Sequence, residues 1–277
     1  MSQPTTLEPA TRADDRPAPD AEPRRKARRI AIANQKGGVG KTTTAINLGA
    51  ALGALETSVL VVDCDPQGNA TRGLGLEATP PHLYHVLAGR AQASHAVRDT
   101  PFEGLSILPA DRELVGVEVE LVGVDGWQHR LSQVLEDVMA DYDVVLLDCP
   151  PSLGHLTVSA LTAADDILVP LQCEYFALEG LSELVSTVRR VQGSVNPRLA
   201  IGGVLLTMYD ERTNLSREVA EDVRAHFADA VFRTTVPRNI RLAEAPSQGM
   251  PILHYDIKSR GAEAYLDVAR ELLERLP

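Results

Sequence analysis

The sequence predicts an α/β fold in which a single doubly wound, mostly parallel β-sheet carries helices on both faces. From residue 29 onward, short apolar runs alternate with segments of helical spacing. Some runs, such as Val59-Leu60-Val61-Val62, are continuously apolar, as expected of parallel strands that helices cover on both faces. A glycine-rich segment directly follows the first run, where folds of this class place a ligand-binding turn.

The same alternation assigns each element in order. We predict strands at residues 29–34, 58–63, 105–108, 143–148, 167–171, 203–208 and 232–236. We predict helices at residues 41–55, about 127–139, 178–191, 216–227 and 261–275. Right-handed crossovers between parallel strands should bring the carboxyl ends of the strands to one ligand-binding edge.

The chain divides into a tail and one domain. Residues 1–27 are rich in Pro, Ala, Asp and Arg without apolar periodicity, which predicts a disordered N-terminal tail. Residues 28–277 are long enough for one large domain and contain no internal repeat. The basic cluster of residues 24–26 continues into Arg28 and Arg29. This cluster either is simply solvated or attracts DNA independently of its sequence.

Composition excludes several classes of protein. No apolar run approaches the ~20 residues that span a bilayer, and the polar N-terminus is not a secretory signal. The net charge of −11 argues against wholesale coating of nucleic acid, although arginines on one face could still bind phosphates. Cys64, Cys149 and Cys173 have no metal-ligand spacing, and we expect buried thiols in a reducing cytosol.

The segment after the first strand is a predicted phosphate-binding loop. It reads Lys36-Gly37-Gly38-Val39-Gly40-Lys41-Thr42-Thr43. Glycines let successive backbone N–H groups curl around an anion, and the following helix adds the positive end of its dipole. Lys41 is expected to reach the β- and γ-phosphates of a nucleotide, and the Thr42 hydroxyl suits Mg²⁺. The ordinary pattern G-x-x-x-x-G-K-S/T has glycine where this chain has Gln35.

Lys36 is a second lysine at the head of this loop. It is either a solvated residue beside a glycine turn or a group that points outward across a subunit interface. In the second interpretation it meets the phosphates held by another copy of the chain. Because Lys41 already serves the nucleotide of its own subunit, the complete motif favours this second interpretation.

With this loop the chain resembles the deviant Walker A family of ATPases, K-G-G-x-G-K-S/T. That family includes the ParA/Soj partition proteins, the division-site regulator MinD and the nitrogenase iron protein. The resemblance runs from about Arg28 to the C-terminus. It implies a P-loop NTPase fold, bound ATP or ADP, and Mg²⁺. The nucleotide would contact Gly37, Gly38, Val39, Gly40, Lys41, Thr42 and Thr43.

Carboxylates follow two of the predicted strands. Asp148 precedes Pro150-Pro151 after an apolar strand, which matches the family's Walker B pattern D-x-P-P and suits Mg²⁺, directly or through a water. Asp63 and Asp65 follow the second strand and form either a plain Asp-rich turn or part of the phosphate site.

By resemblance the segment of Asp63 and Asp65 is the family's switch I. Asp63 would assist the Mg²⁺ shell, and Asp65 would orient the attacking water. Lys36, Lys41 and Asp65 are therefore the candidate catalytic residues, and we expect slow hydrolysis because no strong general base is evident.

The late loops carry the remaining nucleotide and DNA candidates. By resemblance Met208, Pro237, Arg238 and Asn239 flank the adenine. Several late segments closely match chromosomal Soj-type ParA proteins, in which arginines at the positions of Arg212 and Arg241 bind the DNA backbone. Charge alone adds three further candidates: Arg217, Lys258 and Arg260. Such contacts read phosphates, so we expect no sequence preference and a steep dependence on salt.

The resemblance thus implies a cytoplasmic, nucleoid-associated chromosome or plasmid partition ATPase. ATP would assemble a homodimer that binds double-stranded DNA non-specifically, and a ParB-type centromere-binding partner would stimulate hydrolysis. Two alternatives stay open: a MinD-like membrane-associated ATPase and an ATP-dependent metabolic enzyme on the same fold. The charge-balanced C-terminal segment favours a helix packed on the domain over a membrane-binding helix. The cysteine positions do not match an iron protein.

Overall fold

Seven strands form one β-sheet in the computed structural model, which describes residues 27–120 and 123–276. The predicted tail therefore lies outside the described residues, apart from Ala27. In chain order the strands are β1 (Arg28–Ile32), β2 (Val59–Asp63), β3 (Arg98–Asp99), β4 (Leu105–Leu108), β5 (Val144–Asp148), β6 (Asp166–Gln172) and β7 (Ala200–Thr207). Their order across the sheet is β3-β4-β2-β5-β1-β6-β7, and only the β3–β4 pair is antiparallel.

Helices connect and cover these strands. The longer ones are α1 (Lys41–Gly53), α7 (His155–Ala163), α8 (Ala177–Gln192), α9 (Asn214–Phe227) and α12 (Arg260–Arg275). The shorter ones are α2 (Asn69–Gly73), α3 (Leu83–Leu87), α4 (Ala93–Ala96), α5 (Val115–Glu120), α6 (Arg130–Leu135), α10 (Ile240–Glu244) and α11 (Ile252–Tyr255). None of the described helices is long and apolar enough to cross a membrane.

The apolar core has one layer on each face of the sheet. Successive residues of β1 alternate between the layers, since Ile30 and Ile32 face one and Ala31 the other. The first layer includes side chains of α1 and α12, and the second includes side chains of α7 and α8. The predicted doubly wound, mostly parallel sheet is therefore confirmed.

Two predicted elements are wrong. Residues 127–139 do not form one helix, because 3₁₀ turns at Trp127–His129 and Met139–Asp141 flank the short helix α6. Residues 232–236 are not a strand, although they run beside β7. The N–H groups of Arg233 and Thr234 donate to the Glu271 carboxylate at 2.8 and 3.0 Å, so they are not available to a β-ladder.

The start of β1 uses its arginines for ion pairs within the fold. Arg28 pairs with Asp166, and the buried Arg29 donates to both oxygens of Asp165. These two residues therefore do not extend the basic cluster as a free surface for DNA. The rest of that cluster, residues 24–26, lies outside the described residues.

Glu271 should stabilise the fold in a pH-dependent way. Its carboxylate is buried and accepts hydrogen bonds from the Arg233 and Thr234 amides and from the Arg275 guanidinium. Burial opposes its charge, but these donors outweigh burial and lower its pKa. We expect Glu271→Gln to reduce the free energy of unfolding by about 2 kcal/mol at pH 7.

Because the folded pKa lies below the ordinary value of 4.5, this stabilisation is present above that value and disappears as the pH falls through the folded pKa. Urea unfolding of wild type and variant from neutral to acid pH measures the difference. Glu274→Gln, which removes an exposed partner of Arg233, is the matched control and should cost less than about 0.5 kcal/mol. Equal losses in the two variants would contradict the assignment.

Candidate active site

The phosphate-binding loop joins the carboxyl end of β1 to the first residue of α1. Gly38 and Gly40 have φ angles of +75° and +91°, a left-handed conformation that favours glycine. A Cβ on Gly37 or Gly38 would have no atom within 4 Å, so the loop presents open space on the side that glycine leaves free. The Thr207 hydroxyl at the end of β7 donates to Val39 O at 2.8 Å and fixes the loop from the other side.

Helix α1 begins directly in this loop without a side-chain cap. Its N-cap residue is Gly40, and its first turn contains no acidic residue. Because the first N–H groups of a helix have no partner within the helix, they and the helix dipole favour an anion at this place. The loop and the helix together provide the geometry of a phosphate site.

Lys41 lies over the loop that precedes it. Its side chain is buried, and its ammonium group donates to Lys36 O at 3.1 Å. Burial lowers the pKa of Lys41, while the nearby carboxylates of Asp148 and Asp65 act in the opposite direction. The ammonium group is therefore positioned beside both the loop and the acidic edge of the sheet.

Asp148 ends β5 as a fully buried carboxylate. Neither of its oxygens makes a hydrogen bond within the described residues. Burial raises the pKa of Asp148 well above its usual value; the Asp63 carboxylate adds to this shift, and Thr42 and Lys41 oppose it. A buried carboxylate with Thr42 and Lys41 as its favourable polar neighbours fits a hard cation, since oxygen ligands are what Mg²⁺ prefers. Asp148 and the adjacent Thr42 could hold that ion.

Asp63 faces Asp148 across the parallel pair β2–β5 but has partners of its own. Its Oδ2 accepts from the Thr71 amide at 2.9 Å and from the Thr71 hydroxyl at 2.7 Å, while the Asp65 amide lies 3.3 Å from its Oδ1. Burial raises the pKa of Asp63 to about 6. The structure thus ties Asp63 to α2, and its predicted place in the Mg²⁺ shell stays a prediction.

Asp65 lies in the turn between β2 and α2. Its carboxylate is largely buried and accepts from the Gln67 amide at 2.9 Å. The turn closes at Gly68, whose φ angle is +61° and where a Cβ would lie 2.6 Å from Ala110 O. Asp65 contributes to the electrostatic environment of Lys41, so the structure brings these two predicted residues into one site.

Lys36 points to the end of β6. Its ammonium group forms an ion pair with Glu174 at 2.6 Å, and its amide donates to Asn34 Oδ1 at 3.0 Å. Both charged side chains are partly exposed, and the next residues, Tyr175 and Phe176, are exposed aromatics. Sequence reasoning missed Glu174, because no local pattern links it to a residue 138 positions away.

A cavity of about 390 Å³ adjoins the loop and is largely apolar in its lining residues. It brings together the predicted adenine neighbours Met208, Pro237, Arg238 and Asn239 with Gly40 and Thr43 of the loop and helix α1. Met208 has a φ angle of +49°, which turns the chain at the end of β7. Asn239 also caps α10 by accepting from the Arg241 amide at 2.8 Å. Sequence reasoning missed several further lining residues: Val236, Ile240, Leu242, Ala243 and Tyr265.

A second depression of about 410 Å³ contains two of the predicted DNA-binding residues, Arg212 and Arg260. Arg238 lines both this depression and the adjoining cavity. Four carboxylates also line the depression: Asp210, Glu211, Glu263 and Asp267. Arg212 forms a two-bond pair with Asp210 at 2.8 and 2.7 Å.

The other predicted DNA-binding residues do not line this depression. Arg241 pairs with Glu244 at 2.9 Å and with Asp256 at 3.6 Å. Arg217 donates to Asn214, which precedes it on α9. Lys258 is exposed beside the start of α12. A phosphate that binds Arg212 or Arg241 would therefore compete with carboxylates of the chain.

The cysteines do not contribute a reactive group. All three are buried and free, as predicted. Burial raises the pKa of Cys64 and Cys149 well above the usual value and that of Cys173 to about 11. Thiols in this state are poor nucleophiles near neutral pH, since the thiolate is the reactive form.

Solved structures of similar fold include proteins with bound nucleotide and magnesium. Cobyrinic acid a,c-diamide synthase from Mycobacterium smegmatis, with bound ADP and magnesium, has 40% identity and a TM-score of 0.79 and covers 90% of this chain and 94% of its own. MinD from Pyrococcus horikoshii, complexed with Mg-ADP, has 30% identity and a TM-score of 0.75 and covers 89% of this chain and 96% of its own.

Sequence relatives are more similar still. Residues 27–201 match the family described as an AAA domain. The chromosome partitioning protein ParA of Caulobacter vibrioides is 56% identical over 250 residues, which cover 89% of this chain and 94% of the relative. The sporulation initiation inhibitor protein Soj of Bacillus subtilis is 54% identical over 245 residues, which cover 88% and 97%. At this identity and coverage, the chain belongs to the ParA/Soj family of chromosome-partitioning proteins.

Proposed function

We propose that this chain is an ATP-dependent partition ATPase whose ATP-bound dimer binds DNA without sequence preference. Hydrolysis, stimulated by a ParB-type partner, releases the DNA, and the protein works in the cytoplasm on the nucleoid. The observation that carries the proposal is the site at the carboxyl edge of the sheet. There the N-terminus of α1 has no side-chain cap, the buried Lys41 lies close enough to the buried Asp148 for their charges to interact, and Gly40 and Thr43 border an apolar cavity.

Each part of the site has a task in nucleotide binding. The loop amides and Lys41 hold the β- and γ-phosphates, and the cavity that Met208 and Asn239 line holds the base. Thr42 and Asp148 would hold Mg²⁺, which would supply positive charge to the phosphoryl group. Bound nucleotide and magnesium in the solved relatives support this assignment.

Hydrolysis requires positioning more than covalent chemistry. Asp65 orients the attacking water, and the turn hydrogen bond from Gln67 holds its carboxylate in place. Lys36 supplies a positive charge to the nucleotide of the partner subunit. For this it must leave Glu174, so the ion pair defines the unassembled position of Lys36.

The DNA-binding surface of a single subunit should have low affinity for DNA, and the two surfaces of a dimer together should bind DNA more tightly. Arg212, Arg241 and Arg260 face carboxylates of their own chain, which reduces their attraction for phosphate. Dimerisation doubles the number of phosphate contacts, and the salt dependence of binding rises with that number. ATP-dependent assembly therefore controls DNA binding.

Two other functions remain as alternatives to this proposal. A MinD-like role would use a C-terminal helix on lipid, but α12 buries Tyr265 against α1, with its hydroxyl 3.1 Å from that of Thr44. A metabolic role is suggested by the similarity to the cobyrinic acid a,c-diamide synthase. The higher identity to the ParA and Soj relatives favours partition.

The proposal predicts nucleotide-controlled DNA binding. Fluorescence anisotropy with a random-sequence duplex should show binding with ATP, little binding with ADP, and steep weakening between low and physiological salt. Absence of binding in both nucleotide states would contradict it. Liposome sedimentation with ATP and a search for small-molecule-dependent turnover would then test the two alternatives.

Arg241→Ala should weaken ATP-dependent DNA binding by about tenfold or more and reduce the slope of log K against log salt by about 2 for the dimer. Alanine is preferred to an acidic residue, which would repel Glu244 and Asp256. Arg189→Ala, an exposed position on α8 across the sheet, is the matched control. If ATP-dependent dimerisation is lost as well, Arg241 has a structural role instead.

Lys36→Ala should leave ADP binding largely intact and weaken the ATP-bound dimer by about 2 kcal/mol or more, roughly 30-fold in affinity. Light scattering with ATP and with ADP measures the effect. Glu174→Gln removes the partner of Lys36 but keeps the lysine, so its dimer should form normally. A normal dimer in Lys36→Ala would refute the cross-subunit role.

Asp65→Ala should keep ATP binding, lower the rate of hydrolysis by about 10²-fold, and accumulate dimers on DNA. Asp65→Asn retains an acceptor for the Gln67 amide and so separates loss of charge from loss of the turn. Both variants should be slow in single-turnover hydrolysis. Normal hydrolysis in Asp65→Asn would show that Asp65 acts only by holding the turn.

A further inference from the structure

A second group of chemically active side chains lies outside the nucleotide site, where α3 meets the turn after β4. His82 precedes α3 and His85 lies within it. Asp111 and Glu113 belong to the turn that Asp111 caps. One donor atom each from His82, His85 and Glu113 lies within 4.8 Å of the other two.

His82 is the unusual member of this group. Its side chain is fully buried, and neither ring nitrogen makes a hydrogen bond within the described parts of the chain. A buried polar atom without a partner costs about 1–3 kcal/mol, so such an atom calls for a ligand. The Nε2 atom faces Asp111 Oδ1 and Glu113 Oε2, each at 3.4 Å.

A simple ion pair accounts poorly for this contact. Both distances exceed the 2.7–3.2 Å of an ordinary N–H···O hydrogen bond. The Asp111 and Glu113 side chains are partly exposed, so the imidazole of His82 is the buried group without a hydrogen-bond partner.

The distance between His82 Nε2 and Glu113 Oε2 instead matches neighbouring ligands around a tetrahedral ion. Zinc bonds of about 2.0–2.2 Å to nitrogen and oxygen place neighbouring ligand atoms about 3.3–3.6 Å apart. Imidazoles with carboxylates are a ligand set of Zn²⁺ and similar divalent ions, and they differ from the all-oxygen ligands of Mg²⁺. We propose that His82, His85 and Glu113 bind a divalent transition-metal ion such as Zn²⁺, separately from the nucleotide site.

The site would support a part of the fold that reaches the nucleotide edge. The ion ties α3 to the turn that begins at Asp111. The preceding residue, Ala110, donates its amide to the Thr71 hydroxyl at 3.1 Å, and that hydroxyl donates to Asp63. A metal ion at this place therefore stabilises the segment on which Thr71 and Asp63 rest.

Co²⁺ titration of the untagged full-length chain tests the proposal directly. With ADP and excess Mg²⁺ present, we expect one Co²⁺ per chain with the visible absorption of a tetrahedral nitrogen and oxygen site, and displacement by Zn²⁺. His85→Gln and Glu113→Gln should each weaken Co²⁺ binding by about tenfold or more, since even loss of outer groups weakens metals 10–100-fold. Both positions are less buried than His82, so these variants should fold.

His95→Gln, at an exposed histidine on α4, is the matched control and should bind Co²⁺ as the wild type does. Zn²⁺ should also raise the melting temperature of the wild type and of the control, but not that of Glu113→Gln. The proposal is overturned if the wild type binds neither Co²⁺ nor Zn²⁺, or if His85→Gln and Glu113→Gln both bind as tightly as the wild type.

Discussion

The buried pair of carboxylates at the ends of β2 and β5 is the constraint on which the rest of the site depends. The parallel register sets Asp63 opposite Asp148, and Ile32 of β1 pairs with the same Asp148. Carboxylates in such a place are unfavourable unless each has a compensating partner. Thr71 compensates Asp63 with two hydrogen bonds, whereas Thr42 and Lys41 are the groups that favour the charged form of Asp148. The charge of the carboxylates at this edge of the sheet therefore depends on how the surrounding core buries and pairs them.

The segments that close the fold also hold the phosphate-binding helix. Helix α1 is linked to late parts of the chain by polar side chains within its own length. Asn47 Oδ1 accepts from the Ile252 amide at 2.6 Å, and the Thr44 hydroxyl contacts that of Tyr265. The second half of the chain thus determines the position of a loop in the first half, which explains why the site needs nearly the whole domain.

Sequence reasoning worked where the local pattern and the tertiary environment agree. The buried strands around residues 59–63 and 144–148 were predictable because their apolar runs end in Asp at the edge of the sheet. Helix α7 was missed because nearly all its side chains are buried, so it lacks an amphipathic period. Residues 232–236 were assigned wrongly because Glu271, far along the chain, takes their amides. The Lys36–Glu174 pair was out of reach for the same reason. Local sequence patterns do not reveal such long-range side-chain contacts, and these contacts determine the structure at both places.

The segment Pro237–Arg238 lies between two surface depressions and borders both. It forms a wall of both the nucleotide cavity and the arginine-containing depression. If one ligand moves a segment that also borders a second ligand, it changes the free energy of binding of the second, and this coupling is equal in both directions. A polyanion that displaces Arg238 must change the affinity for the nucleotide by the same factor by which the nucleotide changes the affinity for the polyanion. One short stretch of chain thus borders both depressions.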